Sequence, residues 1–115
     1  MENRILKWLY DIKLAIDEID SFFIDEVMVF KSYQKNVMRK RAVERNLEII
    51  GEATNRIIKR NPTLANEIKD TNAIIGLRNQ VIHAYDNISD EIIWSIIINH
   101  LPVLKKDIIA LLDNN

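Results

Sequence analysis

Apolar residues recur every three or four positions through most of the chain, which is the spacing of one face of an α-helix. The first such stretch predicts a helix over residues 3–20. A longer stretch predicts a second helix over 36–60, and the irregular, aromatic segment 21–35 between them predicts a connection with a short helical piece. The apolar positions of the two helices are Ile5, Leu9, Ile12, Ile16 and Ile19, then Val43, Leu47, Ile50, Thr54 and Ile57.

The second half of the chain continues the helical pattern in shorter pieces. Asn61 precedes Pro62, and this pair ends the long helix while suiting the first turn of a short helix that runs to about residue 68. Apolar spacing then predicts helices over 70–85 and 90–112. Ser89 is a favourable N-cap for the last of these, and Pro102 inside it either kinks the helix or restarts it.

Residues 92–98, with the sequence IIWSIII, permit two interpretations. β-Branched side chains favour strands, but no partner strand is apparent and the flanking apolar residues keep helical spacing. We therefore predict a helix that is apolar nearly all round and must be covered on more than one side. It is either fully internal to the bundle or covered by a second copy of the chain, and we expect a homodimer.

The composition restricts the fold class and the chemistry. The chain has 115 residues, 48% hydrophobic and 29% charged, with only two glycines and two prolines, too few turn formers for a sandwich or barrel. We predict an all-α protein, a compact bundle of about five helices in one domain over 1–115. Without cysteine there is no disulfide or thiolate zinc site, and His83 and His100 are 17 residues apart, which excludes an HExxH metal site.

The charge distribution offers two further expectations. The first thirteen residues carry charges every few positions, so they form neither a signal peptide nor a membrane span, and we expect a cytoplasmic protein. The net charge is −1, yet residues 35–60 hold eight basic and three acidic groups. This surplus is either a solvated helix face or a track for a phosphate backbone. Its basic members are Lys35, Arg39, Lys40, Arg41, Arg45, Arg56, Lys59 and Arg60.

Four chemically versatile side chains lie close together in the segment 76–86: Arg78, Asn79, His83 and Tyr85. On an unbroken helix, Arg78 and Tyr85 share a face, whereas His83 lies about 140° around from Arg78, so one helix alone does not enclose a pocket. Each side chain also has a structural explanation, such as a charge on a helix dipole or a buried ring. His100 has no such neighbours in sequence, and we expect it to be structural.

Two signatures in this order resemble one known family. Arg78, four residues, His83, one residue and Tyr85 match the RX4HXY pattern of the HEPN superfamily, and the Arg-Asn start is the form most often found in its ribonucleases. Residues 41–53, RAVERNLEIIGEA, resemble the second signature of the HepT toxin branch. The resemblance covers nearly the whole chain, because the helix order and the length also fit.

The resemblance implies the toxin of a type VII toxin–antitoxin system, a metal-independent and cofactor-free endoribonuclease. It is expected to be a dimer whose two RX4H segments face one cleft, acting on RNA such as tRNA or mRNA. His83 is then the general acid or base, since an imidazole suits proton transfer at neutral pH. Arg78 binds the phosphate and stabilises the charge that develops on it, and Asn79 orients one of the two or donates a further hydrogen bond.

The resemblance also implies a partner and a modification. The partner is a minimal nucleotidyltransferase antitoxin (MntA), which adds AMP to Tyr85 and so fills the cleft with anionic groups. From the second signature, Arg45 and Glu52 either support the cleft or form a structural salt bridge, and Gly51 serves packing. Two alternatives remain: a non-catalytic HEPN dimer that binds nucleotide or RNA and docks a nucleotidyltransferase, and a plain helical dimerisation domain.

Overall fold

A computed structural model describes residues 1–24, 28–76 and 89–114, and within these ranges the regular structure is helical throughout, with no strand. The radius of gyration, 14.0 Å, is close to the ~13 Å expected of a compact chain of this length. The predicted all-α bundle is therefore confirmed. Within these described residues, no helix combines the length and the apolar character needed to cross a membrane.

Two long helices form the centre of the bundle. Helix α1 spans Asn3–Ser21, and helix α3 spans Val37–Arg60 after the short helix α2, Phe30–Lys35. The boundaries agree with the predicted 3–20 and 36–60, and the side chain of Asn36 caps α3 by accepting a hydrogen bond from the Arg39 N–H (3.0 Å). Gly51 is buried in the middle of α3, in keeping with its predicted packing role.

The apolar stripes predicted from the spacing face each other across the α1–α3 interface, which is the most extensive contact between elements. All ten side chains are at most 3% exposed, including the hydroxyl-bearing Thr54, whose Oγ1 donates to the Ile50 carbonyl (2.7 Å). Burying these apolar surfaces provides the main driving force for folding. The core therefore lies where the hydrophobic pattern predicts it.

Shorter elements complete the fold. A 3₁₀ helix over Pro62–Asn66 follows α3, and residues 71–76 are helical and are labelled α4. The predicted helix over 70–85 begins here, and its remainder lies outside the described residues. After Ser89 come helix α5, Asp90–Ser95, a π-helical turn, Ile96–His100, and helix α6, Leu101–Asp113.

The isoleucine-rich stretch is helical, as predicted, but it is not straight. The π-helical turn interrupts it and Pro102 occupies the first turn of α6, so the proline accompanies a restart of the helix. Ile93, Ile96 and Ile97 are buried in the core, whereas Ile92 and Ile98 are 48% and 41% exposed. Part of the apolar surface is thus uncovered in the single chain, which leaves the expectation of a homodimer in place as a prediction.

Candidate functional site

The residues of the candidate motif, Arg78, Asn79, His83 and Tyr85, lie outside the described residues, so their mutual geometry stays a prediction. The structure describes the chain on both sides of this segment, up to Gly76 and again from Ser89. These two flanks determine where the segment begins and ends on the bundle. They are held by different sets of contacts.

Helix α5 begins directly after the motif segment, and polar contacts fix its first turn. The Ser89 side chain caps it by accepting a hydrogen bond from the Ile92 N–H (3.1 Å), as predicted. Asp90 forms a half-buried ion pair with Lys40 of α3, with Nζ and Oδ2 3.1 Å apart and both side chains 24% exposed. Because this pair joins residues 50 positions apart, it ties the chain beyond the motif to the first turns of α3.

An aromatic cluster holds α5 from the other side. The Trp94 ring lies 5.4 Å from that of Tyr33 and 6.0 Å from those of Phe23 and Phe30, measured between centroids. These distances are typical of favourable aromatic pairs. Tyr33 is fully buried, its hydroxyl has no hydrogen-bond partner among the described residues, and burial raises the pKa of Tyr33 well above its ordinary value.

On the other flank, the start of α4 is attached to the π-helical turn and α6. Asp70 Oδ2 lies 3.1 Å from His100 Nδ1, and the Lys69 N–H donates to Asp107 Oδ2 (3.0 Å). Thr71 and Ile74 are buried behind these contacts. His100 has no supporting neighbours in sequence, and its partner Asp70 lies 30 positions away, beyond the reach of local spacing.

Arg45 and Glu52, the candidate supporting residues, line a groove between α1 and α3. The groove has a volume of about 350 Å³ and an apolar floor that includes Ile49 and Ala53. Arg45 pairs with Glu48, and Glu52 pairs with Arg56, both at 3.2 Å. These salt bridges within one helix correspond to the structural alternative for both residues, and a supporting role in the cleft stays a prediction.

The basic surplus of residues 35–60 is largely neutralised by neighbouring carboxylates. Within this fully described range, at least five of the eight basic side chains have a carboxylate oxygen within 3.2 Å. Arg39 places its guanidinium carbon 5.0 Å from the centre of the Phe23 ring. This pairing favours the interpretation as a solvated helix face over a phosphate track. The five paired residues are Lys40, Arg41, Arg45, Arg56 and Arg60.

A metal site does not occur in the part of the chain that the structure describes, since no three His, Asp or Glu side chains there converge on one point. The polar contacts that the structure describes on either side of the motif are ion pairs and hydrogen bonds. The contacts at these flanks fix where α4 and α5 begin on the bundle. The fold and the sequence motif together define the class of protein: an all-helical bundle that carries an RX4HXY motif.

Comparison with known proteins identifies the family. Residues 12–111 match the family described as "Ribonuclease HepT-like", a range that contains both sequence signatures. This chain belongs to the HepT-like ribonuclease family, and the predicted resemblance to HepT is confirmed. No solved structure matches the chain.

Curated relatives cover nearly the whole chain. "Putative RNase MJ0127" of Methanocaldococcus jannaschii is 35% identical over 111 residues, spanning 93% of this chain and 86% of its own length. "Putative RNase MJ1380" of the same organism is 32% identical, over 94% of this chain and 97% of its own length. "Probable ribonuclease HepT" of Thermococcus cleftensis is 32% identical, over 91% and 93% respectively.

Proposed function

We propose that this protein is a metal-independent endoribonuclease and the toxin of a type VII toxin–antitoxin pair. The observation that carries the proposal is the complete RX4HXY motif, Arg78 to Tyr85, inside the range that matches the HepT-like ribonuclease family. The names of the relatives, which describe them as RNases, support the same activity. The motif residues are the reacting groups, and the bundle is their scaffold.

RNA supplies its own nucleophile for this reaction. The 2′-hydroxyl oxygen attacks the adjacent phosphorus, the bond from phosphorus to the 5′ oxygen breaks, and the products are a 2′,3′-cyclic phosphate and a 5′-hydroxyl. His83 moves the proton as general base or acid. Arg78 binds the phosphate oxygens through its planar guanidinium, and Asn79 orients one of the two. DNA is inert because it has no 2′-hydroxyl.

The proposed enzyme is a homodimer with one composite cleft. On an unbroken helix Arg78 and His83 would lie about 140° apart, so a second copy of the motif completes the enclosure of the scissile phosphate. The exposed Ile92 and Ile98, close in sequence to the motif, provide apolar surface for that association. Arg45 and Glu52 support the cleft from α3 in this scheme.

Modification of Tyr85 silences the enzyme. A nucleotidyltransferase antitoxin transfers AMP from ATP to the phenol oxygen with release of pyrophosphate, and the added phosphate places negative charge two residues from His83. RNA phosphates are then repelled from the cleft. The Tyr85→Phe variant keeps cleavage but escapes this control, which mass spectrometry of the protein after incubation with the antitoxin and ATP will reveal.

The test of catalysis is cleavage of total tRNA and mRNA in the presence of EDTA. Arg78→Ala and His83→Ala are each expected to slow cleavage by about 10²- to 10³-fold, the usual contribution of one acid–base or charge-stabilising group. Lys106→Ala, which removes an exposed cation of α6, is the control and should cut at the wild-type rate. Cleavage that is equal in the wild type and in both motif variants would refute the nuclease assignment.

One observation favours the non-catalytic alternative, a HEPN dimer that binds nucleotide or RNA and docks a nucleotidyltransferase. The pI is about 6.1, and most basic side chains of α3 are paired with carboxylates, which leaves little free positive charge for a long phosphate backbone. The alternative is correct if the protein binds RNA, the RNA keeps its full length after prolonged incubation, and Arg78→Ala weakens the binding.

A further inference from the structure

His100 and Asp70 join the two chain segments on either side of the motif. Their side chains are 33% and 26% exposed, and His100 Nδ1 lies 3.1 Å from Asp70 Oδ2. Asp70 immediately precedes α4 and lies eight residues before Arg78, while His100 ends the π-helical turn. The pair therefore connects the start of the helix that leads into the motif to the C-terminal part of the bundle.

The π-helical turn is what makes this contact available. In a straight α-helix that buries Ile93 and Ile97, the next position on the same face is residue 100, because one turn takes 3.6 residues. The π-helical turn inserts one residue, so Leu101, 3% exposed, takes the core position and His100 lies at its edge. A departure from regular helix geometry that frees a polar side chain for a specific partner is typical of functional regions.

Two further contacts fix the same point. The Lys69 N–H donates to Asp107 Oδ2 of α6 (3.0 Å), and the Asp70 carbonyl accepts from the Ile74 N–H (3.0 Å) in the first turn of α4. Ile74 is 1% exposed, so α4 also packs against the core through an apolar residue. The apolar contact of Ile74 holds α4 against the core, and the polar contacts of Lys69 and Asp70 fix the position of its first turn relative to α6.

We propose that His100 and Asp70 form a positioning pair that aligns α4, and with it Arg78 and His83, for RNA cleavage. This inference rests on the proposed function. The two side chains act through α4 and do not touch the substrate. Because a shift of about 1 Å in a reacting group can cost as much as 100-fold in rate, a modest displacement of α4 is enough to affect catalysis.

The experiment compares steady-state RNA cleavage by the full-length wild type with that by His100→Ala, Asp70→Ala and the double variant. Each is expected to lower kcat about tenfold while KM changes less than twofold, and the double variant should be no slower than the single ones, as for partners in one contact. His100→Asn keeps a nitrogen donor at the δ position and should retain at least a third of the wild-type kcat.

The matched control is Glu2→Ala, which breaks another long-range ion pair, between Glu2 and Arg60, far from α4 in sequence. It should leave kcat unchanged. Hydrogen exchange provides a readout independent of activity: amides of 71–76 should exchange about two- to fivefold faster in His100→Ala than in the wild type, and at the wild-type rate in Glu2→Ala.

Wild-type kcat in His100→Ala, or an equal loss in Glu2→Ala, would overturn the positioning role, as would a rise in KM alone. Failure of the wild type to cut RNA refutes the proposed function and therefore the catalytic part of this inference. The hydrogen-exchange measurement still tests the structural part of the inference. If the amides of 71–76 exchange at the wild-type rate in His100→Ala, the pair does not hold α4 in place.

Discussion

The α1–α3 pair and the region from Asp70 to Asp113 are stabilised in different ways. The pair is joined by two regular apolar stripes that are almost completely buried. The later region combines short helices, a π-helical turn and polar contacts between residues distant in sequence, such as Asp70 with His100 and Lys40 with Asp90. The motif segment lies in the second region, so the candidate chemistry is carried by the less regular part of the bundle, although that part also contributes side chains such as Ile93 and Leu104 to the common hydrophobic core.

This difference separates stability from function. Apolar contact at the α1–α3 interface is nondirectional and large in free energy, whereas each ion pair or cap contributes little energy but fixes a direction. Regions that carry binding or catalytic groups are often the less stable parts of a fold. Substitutions in α1 and α3 should therefore change the free energy of unfolding most, and substitutions at the motif flanks should change cleavage most.

The largest effect on stability is expected from Leu47→Ala at the centre of the α1–α3 interface. Leu47 is 1% exposed, and removing its side chain leaves a cavity that should lower the free energy of unfolding by about 2–5 kcal/mol. Urea denaturation measures the change. Leu14→Ala, at an α1 position that is 64% exposed, is the control and should stay within about 0.5 kcal/mol of the wild type. Equal effects of the two variants would contradict the assignment of this interface as the core.

Two helix caps compare the regions directly. Asn36 caps α3 and Ser89 caps α5, each accepting one backbone hydrogen bond of 3.0–3.1 Å. Asn36→Ala and Ser89→Ala should each cost about 1 kcal/mol of stability. Only Ser89→Ala should also lower kcat for RNA, by about three- to tenfold, because it loosens the helix that directly follows the motif. The same loss of kcat in both variants would show that the two regions are not separable.

Tyr33→Phe should stabilise the protein by about 1 kcal/mol. It removes a buried hydroxyl without a partner among the described residues, and such a group is costly to desolvate. In the wild type, burial raises the pKa of Tyr33, so the folded state keeps the phenol proton to higher pH than the unfolded state does. The free energy of unfolding of the wild type therefore falls as pH rises above about 10, the ordinary tyrosine pKa. Thermal melts from pH 8 to 11 should show a smaller alkaline loss in Tyr33→Phe. Destabilisation by this variant would indicate that the hydroxyl has a partner.

Sequence patterns predict the first region better than the second for a physical reason. The α1 and α3 stripes follow from 3.6-residue spacing, so short stretches of sequence contain the information. The partner of His100 is Asp70, which lies 30 positions away, so local spacing could not indicate it. The burial of Tyr33 likewise depends on a distant residue, Trp94, whose ring packs against it. The segment around Tyr33 has no apolar periodicity, so its sequence does not predict that Tyr33 lies in the core.

The same distinction limits what could be predicted about the candidate site. The identity of the motif and its family follow from the spacing of Arg78, His83 and Tyr85, and the family match confirms that interpretation at the level of the family. The flanking contacts could not be predicted, because Lys40 and Asp90 are two of many possible charge pairs in the chain until the fold brings them within 3.1 Å. Spacing therefore predicts which residues react, whereas tertiary contacts show how the chain on either side of the motif is held.

The smallest effect is expected at the exposed pair between Glu2 and Arg60, which joins the start of α1 to the end of α3. The hydrogen bond from Arg60 holds the pKa of Glu2 below its ordinary value of about 4.5. The pair therefore contributes stability above that value, and the contribution is lost as pH falls through the lowered pKa. The difference in Tm between the wild type and Glu2→Gln should be small at pH 7 and shrink as the pH falls below about 4.5, and added salt should reduce it because exposed charges are screened. A difference that changes with neither pH nor salt would mean that Glu2 stabilises α1 through packing, and the contrast between polar and apolar contacts in this scaffold would not hold for this pair.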